Sequence, residues 1–211
     1  MGFEVSVERV LEFVRADAMA GRFDAWGLST VIDEHVGEAV IGREVFDLLH
    51  EAAGIEADFP VGNAGVLHVY GYWFSKTPTP FGLKRDRWQN GVLAAALGRR
   101  PEEFRLDGAA DSTPLERVTR AVLPLLLEPP AGAVAAEVRL GGSSGDDCSA
   151  RVVLHRSSGA SVWALVYGVA LKGAEWRLIT VFPFQGAAEE LVEEFEANPG
   201  FRWNAVDFTD S

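Results

Sequence analysis

The chain has 211 residues, of which 48% are hydrophobic and 24% are charged, and its formal net charge is −12. A chain of this length and composition can bury a sizeable core without a disulfide or a structural metal. Its acidity disfavours binding to nucleic acid or to an anionic membrane unless positive charge is gathered locally.

The first third of the chain is predicted to be helical. Apolar residues recur with the spacing of a helix face over residues 7–14 and again over 45–52. The stretch between these segments, residues 27–42, is predicted as a shorter helix that is broken at Gly37 and Gly42.

Residues 65–74, GVLHVYGYWF, are predicted to form a central strand, because valine and aromatic residues dominate them and turn residues flank them. The two-residue period of a strand would place His68, Tyr70 and Tyr72 on the same face. The opposite face is wholly apolar and suits the core, so these three polar-tipped side chains are expected to point together, away from it.

Two Thr-Pro steps over residues 77–80 predict a stiff, extended connection. A helix is expected over residues 85–98, and another begins at Pro114, where Ser112 or Thr113 can provide the N-cap.

The second half of the chain changes to the spacing of strands. Four strand candidates are joined by the short segments GGSSGDD, SSGA and KGA, and such short joints predict antiparallel neighbours. A last helix with an acidic face follows over residues 187–198. The predicted fold class is therefore α+β, with a helical N-terminal third, a central strand, and an antiparallel β-meander of about four strands flanked by helices. We expect a single α+β domain over residues 1–211, in which any subdivision would fall near 100–113.

Two features favour a cytoplasmic location. Cys148 is the only cysteine, so no intrachain disulfide can form, and a reducing compartment is the natural setting. The N-terminal residues lack the basic start and unbroken apolar core of a secretory signal, and no apolar run is long enough to cross a bilayer. Arginine exceeds lysine by 16 to 3, which is typical of a GC-rich bacterial genome.

The common catalytic and cofactor motifs are missing from the sequence. It contains no phosphate-binding P-loop, no nucleophile elbow and no zinc-binding H-E-x-x-H or C-x-x-C pattern. His35 and Glu38 lie three residues apart but lack the further ligands that a metal requires. We therefore expect no metal and no cofactor, and we expect His50 to lie on the surface flank of its helix.

The segment 68–88, called the basic segment below, has the clearest concentration of positive charge. Four cations and one carboxylate give it a formal charge of +3 in an acidic chain, which favours a negatively charged ligand. Arginine can also grip a carboxylate or phosphate with two hydrogen bonds. The predicted ligand-binding residues are Lys76, Lys84, Arg85 and Arg87, with Arg151 of the meander as a second anion contact.

Three residues of the predicted central strand are candidates for catalysis. His68 is the histidine best placed to act as an acid or base, because its ordinary pKa lies near neutrality. Tyr70 and Tyr72 could orient a substrate or donate a proton. Equally, all three side chains could belong to a half-buried sheet face with a structural role only.

Three functions follow from these residues. The first is binding of a small anionic molecule, a carboxylate or phosphate, by an enzyme that needs no cofactor and in which His68 moves the proton. The second is a non-catalytic accessory protein that binds a peptide or protein partner, with a homodimer as a further option because sheet edges need covering. The third is a metal-independent nuclease, although the acidity makes nucleic acid an unlikely partner.

Overall fold

The computed structural model describes residues 6–108, 111–141, 147–171 and 174–198. Its helices are α1 Val7–Met19, α2 Arg43–Ala53, α3 Asp86–Gln89, α4 Val92–Ala96, α5 Pro114–Leu127 and α6 Ala188–Ala197. Its strands are β1 Leu28–Thr30, β2 Val61–Asn63, β3 Pro78–Thr79, β4 Gly82–Leu83, β5 Val134–Gly141, β6 Asp147–His155, β7 Trp163–Leu171 and β8 Arg177–Phe184. Within the described ranges, no helix is both long enough and apolar enough to span a membrane.

The predicted α+β class and the antiparallel meander are confirmed. Strands β5, β6, β7 and β8 pair antiparallel in chain order and form one four-stranded sheet. Helix α5 packs on one face through Leu115, Val118, Val122 and Leu126, all fully buried. Helix α6 packs on the other face through Leu191 and Phe195.

The prediction of a helix over residues 27–42 is wrong. Strand β1 pairs with β2, and a tight turn follows in which the Asp33 carboxylate accepts hydrogen bonds from the amides of His35 at 2.9 Å and Val36 at 3.2 Å. Gly37 then adopts a φ of +72°, which other residues rarely adopt. The side chain of Asp33 thus satisfies the backbone locally and replaces helical hydrogen bonds.

His50 is buried, so its predicted surface position is also wrong. Its Nδ1 lies 2.8 Å from the carbonyl oxygen of Phe46, and its Nε2 accepts a hydrogen bond from the amide of Asn63 at 3.1 Å. These two contacts fix the neutral tautomer with the proton on Nδ1. His50 therefore ties α2 to strand β2.

The segment predicted as the central strand is helical. Residues 64–74, called the central helix below, contain a π-helix over Val66–Tyr70 that continues as a 3₁₀-helix over Gly71–Phe74. Every residue from 62 to 73 is buried. An element surrounded by protein on all sides needs apolar residues at every position, so its sequence contains no period that distinguishes a helix from a strand.

Local contacts explain why this segment becomes a helix. The Asn63 side-chain oxygen accepts hydrogen bonds from the amides of Gly65 at 2.9 Å and Val66 at 3.2 Å, which caps the first turn. A Cβ atom on Gly65 would lie 2.9 Å from the Trp26 ring. Glycine at this position therefore lets the central helix approach a buried indole more closely than any other residue would.

The helical geometry separates residues that a strand would have kept together. His68 and Tyr72, four residues apart, stack with ring centroids 4.8 Å apart. The hydroxyl of Tyr70 instead donates a hydrogen bond to the buried carboxylate of Asp17 in α1. The expected shared face of all three residues is therefore wrong.

Asp17 joins several elements of the helical region. Besides Tyr70, its carboxylate accepts hydrogen bonds from the hydroxyl of Thr113 at 2.5 Å and the guanidinium of Arg22 at 3.1 Å. Thr113 is also the N-cap of α5, where its side chain accepts from the amide of Glu116. One buried carboxylate thus links α1, the central helix and the start of α5.

The helix predicted over residues 85–98 is broken into α3 and α4. Gly91 separates them with a φ of +73°. A Cβ atom at this position would lie 2.6 Å from the Cβ of Pro101, so no side chain fits there. Trp88 of α3 and Leu93 of α4 are both buried.

We expect the change Gly65→Ala to lower the free energy of unfolding by about 1–3 kcal/mol, the usual cost of overpacking a core. The Trp26 ring cannot easily yield, because its Nε1 donates to the Thr119 hydroxyl at 2.9 Å. Urea denaturation measures the change. Gly42→Ser is the control, since nothing lies within 4 Å of a Cβ there and serine favours an N-cap; equal stability of the two variants would contradict the close approach.

Candidate functional site

A cavity of about 630 Å³ lies between the helical region and strand β8. Its lining comes from β1 and the Asp33 turn, the central helix, the β3–β4 hairpin, α3, and β8. The polar part of the lining includes Ser29, Asp33, His68, Tyr72, Lys84 and Arg87. The apolar part includes Phe81, Leu83, Ile179, Phe182, Phe184 and Leu191. A concave site with an apolar side and a few grouped polar side chains is typical of small-molecule binding.

The cavity brings together four of the residues proposed from the sequence. His68 and Tyr72 of the central helix meet Lys84 and Arg87, which lie just before and within α3. The other four proposed residues lie elsewhere. Tyr70 points to the opposite side of the central helix and its burial, followed by the charge of Asp17, raises its pKa well above the ordinary value.

Lys76, Arg85 and Arg151 are outside the cavity lining. Lys76 is exposed, and Arg85 pairs with Asp86 at 3.5 Å. Arg151 donates to Glu137 at 2.6 Å and to the carbonyl of Leu126 at 2.6 Å, so it joins the end of α5 to the sheet. Its guanidinium is therefore occupied by structural contacts.

Lys84 is held in a nearly buried ion pair. Its Nζ lies 2.9 Å from Asp33 Oδ2 and donates to the Tyr72 hydroxyl at 3.3 Å. Burial alone would raise the pKa of Asp33, but the hydrogen bond and charge of Lys84, with the amides of the turn, hold that pKa below its ordinary value. Asp33 is therefore ionised, and it compensates the charge of Lys84.

Arg87 is the cation of the cavity without such a partner. Among the described residues, no carboxylate forms an ion pair with its guanidinium and no acceptor forms a hydrogen bond with it. The guanidinium lies 5.4 Å from the centre of the Phe182 ring. Burial lowers the pKa of Arg87, although Tyr72, Asp33 and Glu34 act in the opposite direction. An arginine still carries its charge under such a shift, so its donors remain available to an anion.

His68 is neutral and contacts a serine. Burial, followed by the positive charges of Lys84 and Arg87, holds the pKa of His68 well below its ordinary value. Its Nε2 lies 3.2 Å from Ser29 Oγ, and its Nδ1 is buried without a partner in the described residues. A buried N–H without an acceptor is costly, which favours the tautomer with the proton on Nε2. Nε2 then donates to Ser29, and the Ser29 hydroxyl proton is free to point to a ligand.

His68 lies within the π-helix, which sets the position of its side chain. Such single-turn widenings are rare and often occur at functional sites. Here the widened turn carries His68 at its centre, and the stacked ring of Tyr72 follows at the start of the 3₁₀ turn. The local geometry that orients the polar lining is therefore an unusual one.

Several lining residues could not be proposed from sequence patterns. Ser29 and Asp33 lie in the stretch that is predicted as a broken helix, and Phe182 and Phe184 lie on β8, about a hundred residues beyond the basic segment. The nearest signal in the sequence is the pair His35 and Glu38, which follows Asp33 but has the spacing of metal ligands and does not indicate an anion site. The described residues contain no group of three or more His, Cys, Asp or Glu side chains that could hold a metal.

Comparisons with protein-family models, with curated proteins and with solved structures found no match to this chain. A function must therefore be inferred from the chemistry of the cavity itself.

We expect Lys84→Met to lower the free energy of unfolding by roughly 3 kcal/mol, because it leaves the Asp33 carboxylate buried without its counter-ion. Methionine retains the apolar stem, so the loss reports mainly the charge. Lys76→Met is the matched control on an exposed lysine and should change stability by less than about 0.5 kcal/mol. Chemical denaturation of both proteins tests this; equal effects would show that the ion pair contributes nothing.

Stability should fall as the pH drops below about 6.5. Burial lowers the pKa of both His50 and His68, so each takes up a proton less readily in the fold than in the unfolded chain. Their contribution is complete above the unfolded pKa and is lost as the pH falls, by up to about 1.4 kcal/mol for each histidine at pH 5.5. Urea denaturation between pH 7.5 and 5.5 measures the slope.

The variant His68→Gln separates the two contributions. The free energy of unfolding of this variant should change less between pH 7.5 and 5.5 than that of the unmodified protein. The comparison holds even if the variant is less stable at both pH values. An identical pH dependence would mean that His68 takes up a proton as readily in the fold as in the unfolded chain.

Proposed function

We propose that this protein binds a small molecule that joins a carboxylate or phosphate to an apolar body. The observation that carries the proposal is Arg87, a half-buried guanidinium that faces a cavity and has no acidic partner among the described residues. Lys84 lies nearby but is compensated by Asp33. The anionic group of the ligand would therefore contact Arg87 and leave the buried ion pair intact.

The rest of the lining supports this division of the ligand. Strand β8 contributes Ile179, Phe182 and Phe184, and α6 contributes Leu191, to an apolar side of the cavity. Ser29 adds a hydroxyl that His68 orients. An anion on Arg87 with an apolar group against β8 would fill both sides of the site.

A cofactor-independent enzyme is a second candidate. The observation in its favour is the contact between neutral His68 and Ser29 inside the cavity, because a neutral imidazole is the form that a general base requires. The favoured tautomer, however, makes His68 a donor to Ser29, so the ground-state geometry supports orientation of a hydroxyl more directly than removal of its proton. Binding is therefore the function proposed first.

Isothermal titration calorimetry with two pairs of probes tests the binding function. The pairs are 3-phenylpropanoate with its neutral amide and 3-cyclohexylpropanoate with its neutral amide. Each carboxylate should bind roughly tenfold more tightly than its amide, since a hydrogen-bonded charge contributes about 1.5–3 kcal/mol. Arg87→Ala should remove this preference.

Arg85→Ala is the matched control, since Arg85 lies two residues away, carries the same charge and is outside the cavity lining. It should bind the carboxylates like the unmodified protein. If Arg85→Ala and Arg87→Ala weaken binding equally, the basic segment acts only through its overall charge and the proposed site is wrong.

A further inference from the structure

We propose that the apolar body of the ligand is an aromatic ring and that Phe81 is the residue that selects it. This inference rests on the proposed anion-binding function and specifies the class of ligand as an aryl carboxylate or aryl phosphate.

The exposure of Phe81 is the first observation. Its side chain is 67% exposed, whereas every other Phe, Tyr or Trp ring in the described ranges is buried or half-buried. Phe81 also lines the cavity. A large aromatic side chain left exposed at the edge of a cavity gains further apolar contact when a ligand binds there.

The hairpin that carries Phe81 is held in place. The Thr79 hydroxyl accepts a hydrogen bond from the Phe81 amide at 3.1 Å and donates to the Gly82 carbonyl at 2.8 Å. Gly82 has a φ of +83°, which fits the turn between β3 and β4. Because the backbone of Phe81 is already ordered, a ligand that contacts the ring bears less of the entropy cost of fixing it.

Aromatic rings surround the cavity from separate elements. Phe81 meets the ring of His35 edge-on, with centroids 5.1 Å apart and an interplanar angle of 69°. Phe182 and Phe184 project from alternate positions of β8 into the lining, and the guanidinium of Arg87 lies over the Phe182 ring. The anion contact and the aromatic contacts are thus adjacent, as a ring with an attached anion requires.

Aromatic recognition can be separated from simple burial of apolar surface. A cyclohexyl group is slightly larger than a phenyl group and more apolar, so burial alone would favour the cyclohexyl ligand. Interactions between the faces and edges of aromatic rings would favour phenyl. Tighter binding of the phenyl ligand therefore indicates aromatic contacts, and tighter binding of the cyclohexyl ligand indicates burial of apolar surface alone.

The experiment is calorimetric titration of the full chain with matched phenyl and cyclohexyl probes. The probes are benzoate, phenylacetate, 3-phenylpropanoate, 4-phenylbutanoate and phenyl phosphate, each with its cyclohexyl counterpart. In the best-binding pair, the phenyl ligand should bind roughly threefold to tenfold more tightly. The series also finds the linker length that fits, and the phosphate pair distinguishes the two anions.

Phe81→Leu keeps an apolar side chain but removes the ring, and it should abolish the phenyl preference while both ligands still bind. Phe13→Leu is the control, because Phe13 lies on α1 outside the cavity, with Arg9 4.4 Å from its ring centre. Circular dichroism checks that both variants keep the fold.

The outcomes are distinct. Equal or tighter binding of the cyclohexyl ligands would overturn the aromatic class and leave the anion-binding function standing. A phenyl preference that persists in Phe81→Leu would overturn the role of Phe81. If no carboxylate or phosphate binds at millimolar concentration, the proposed function fails together with this inference.

Discussion

The carboxylate of Asp17 is the constraint on which the orientation of the central helix depends. In a fully buried position, it accepts hydrogen bonds from the hydroxyl of Tyr70, from Thr113 at the N-cap of α5 and from Arg22. A buried carboxylate is tolerated only when several donors satisfy it, so Tyr70 must face α1. His68 and Tyr72 then point away from Asp17 and into the cavity. A carboxylate outside the site thus determines which side chains the site contains.

Two cations that line the cavity and are similar in the sequence have different partners in the structure. Lys84 and Arg87 are three residues apart, yet one forms an ion pair with Asp33 and the other has no acidic partner in the described residues. The difference arises because the Asp33 turn lies against Lys84, while Arg87 lies over the Phe182 ring. The paired lysine contributes mainly to the folded structure, whereas the arginine has donors left for a ligand. The formal charge of +3 summed over the basic segment is therefore larger than the positive charge that is available to a ligand.

The sequence predicted the elements that have one polar and one buried side. Helices α1, α5 and α6 have such sides, so their periods were readable. The meander has a helix on each face, and it was predicted from its β-rich runs and the short segments that join them. The central helix is buried on all sides, and its β-rich composition predicted the wrong element. For the site, residues close together in the chain, from His68 to Arg87, were found as a positive segment. Ser29 and the β8 phenylalanines reach the cavity only through tertiary packing, which no local pattern reports.

The bridge between Trp26 and Leu178 has a consequence for association with other chains. Strand β8 is an edge of the sheet, and such an edge offers unpaired amides and carbonyls to any extended chain. Trp26 pairs with Leu178, and the Gly27 amide donates to the Leu178 carbonyl at 2.8 Å, so part of this edge is already covered. The same chain segment leads directly into β1 and Ser29. The packing that brings the serine to the cavity therefore also covers part of the β8 edge and leaves less of it open to another strand.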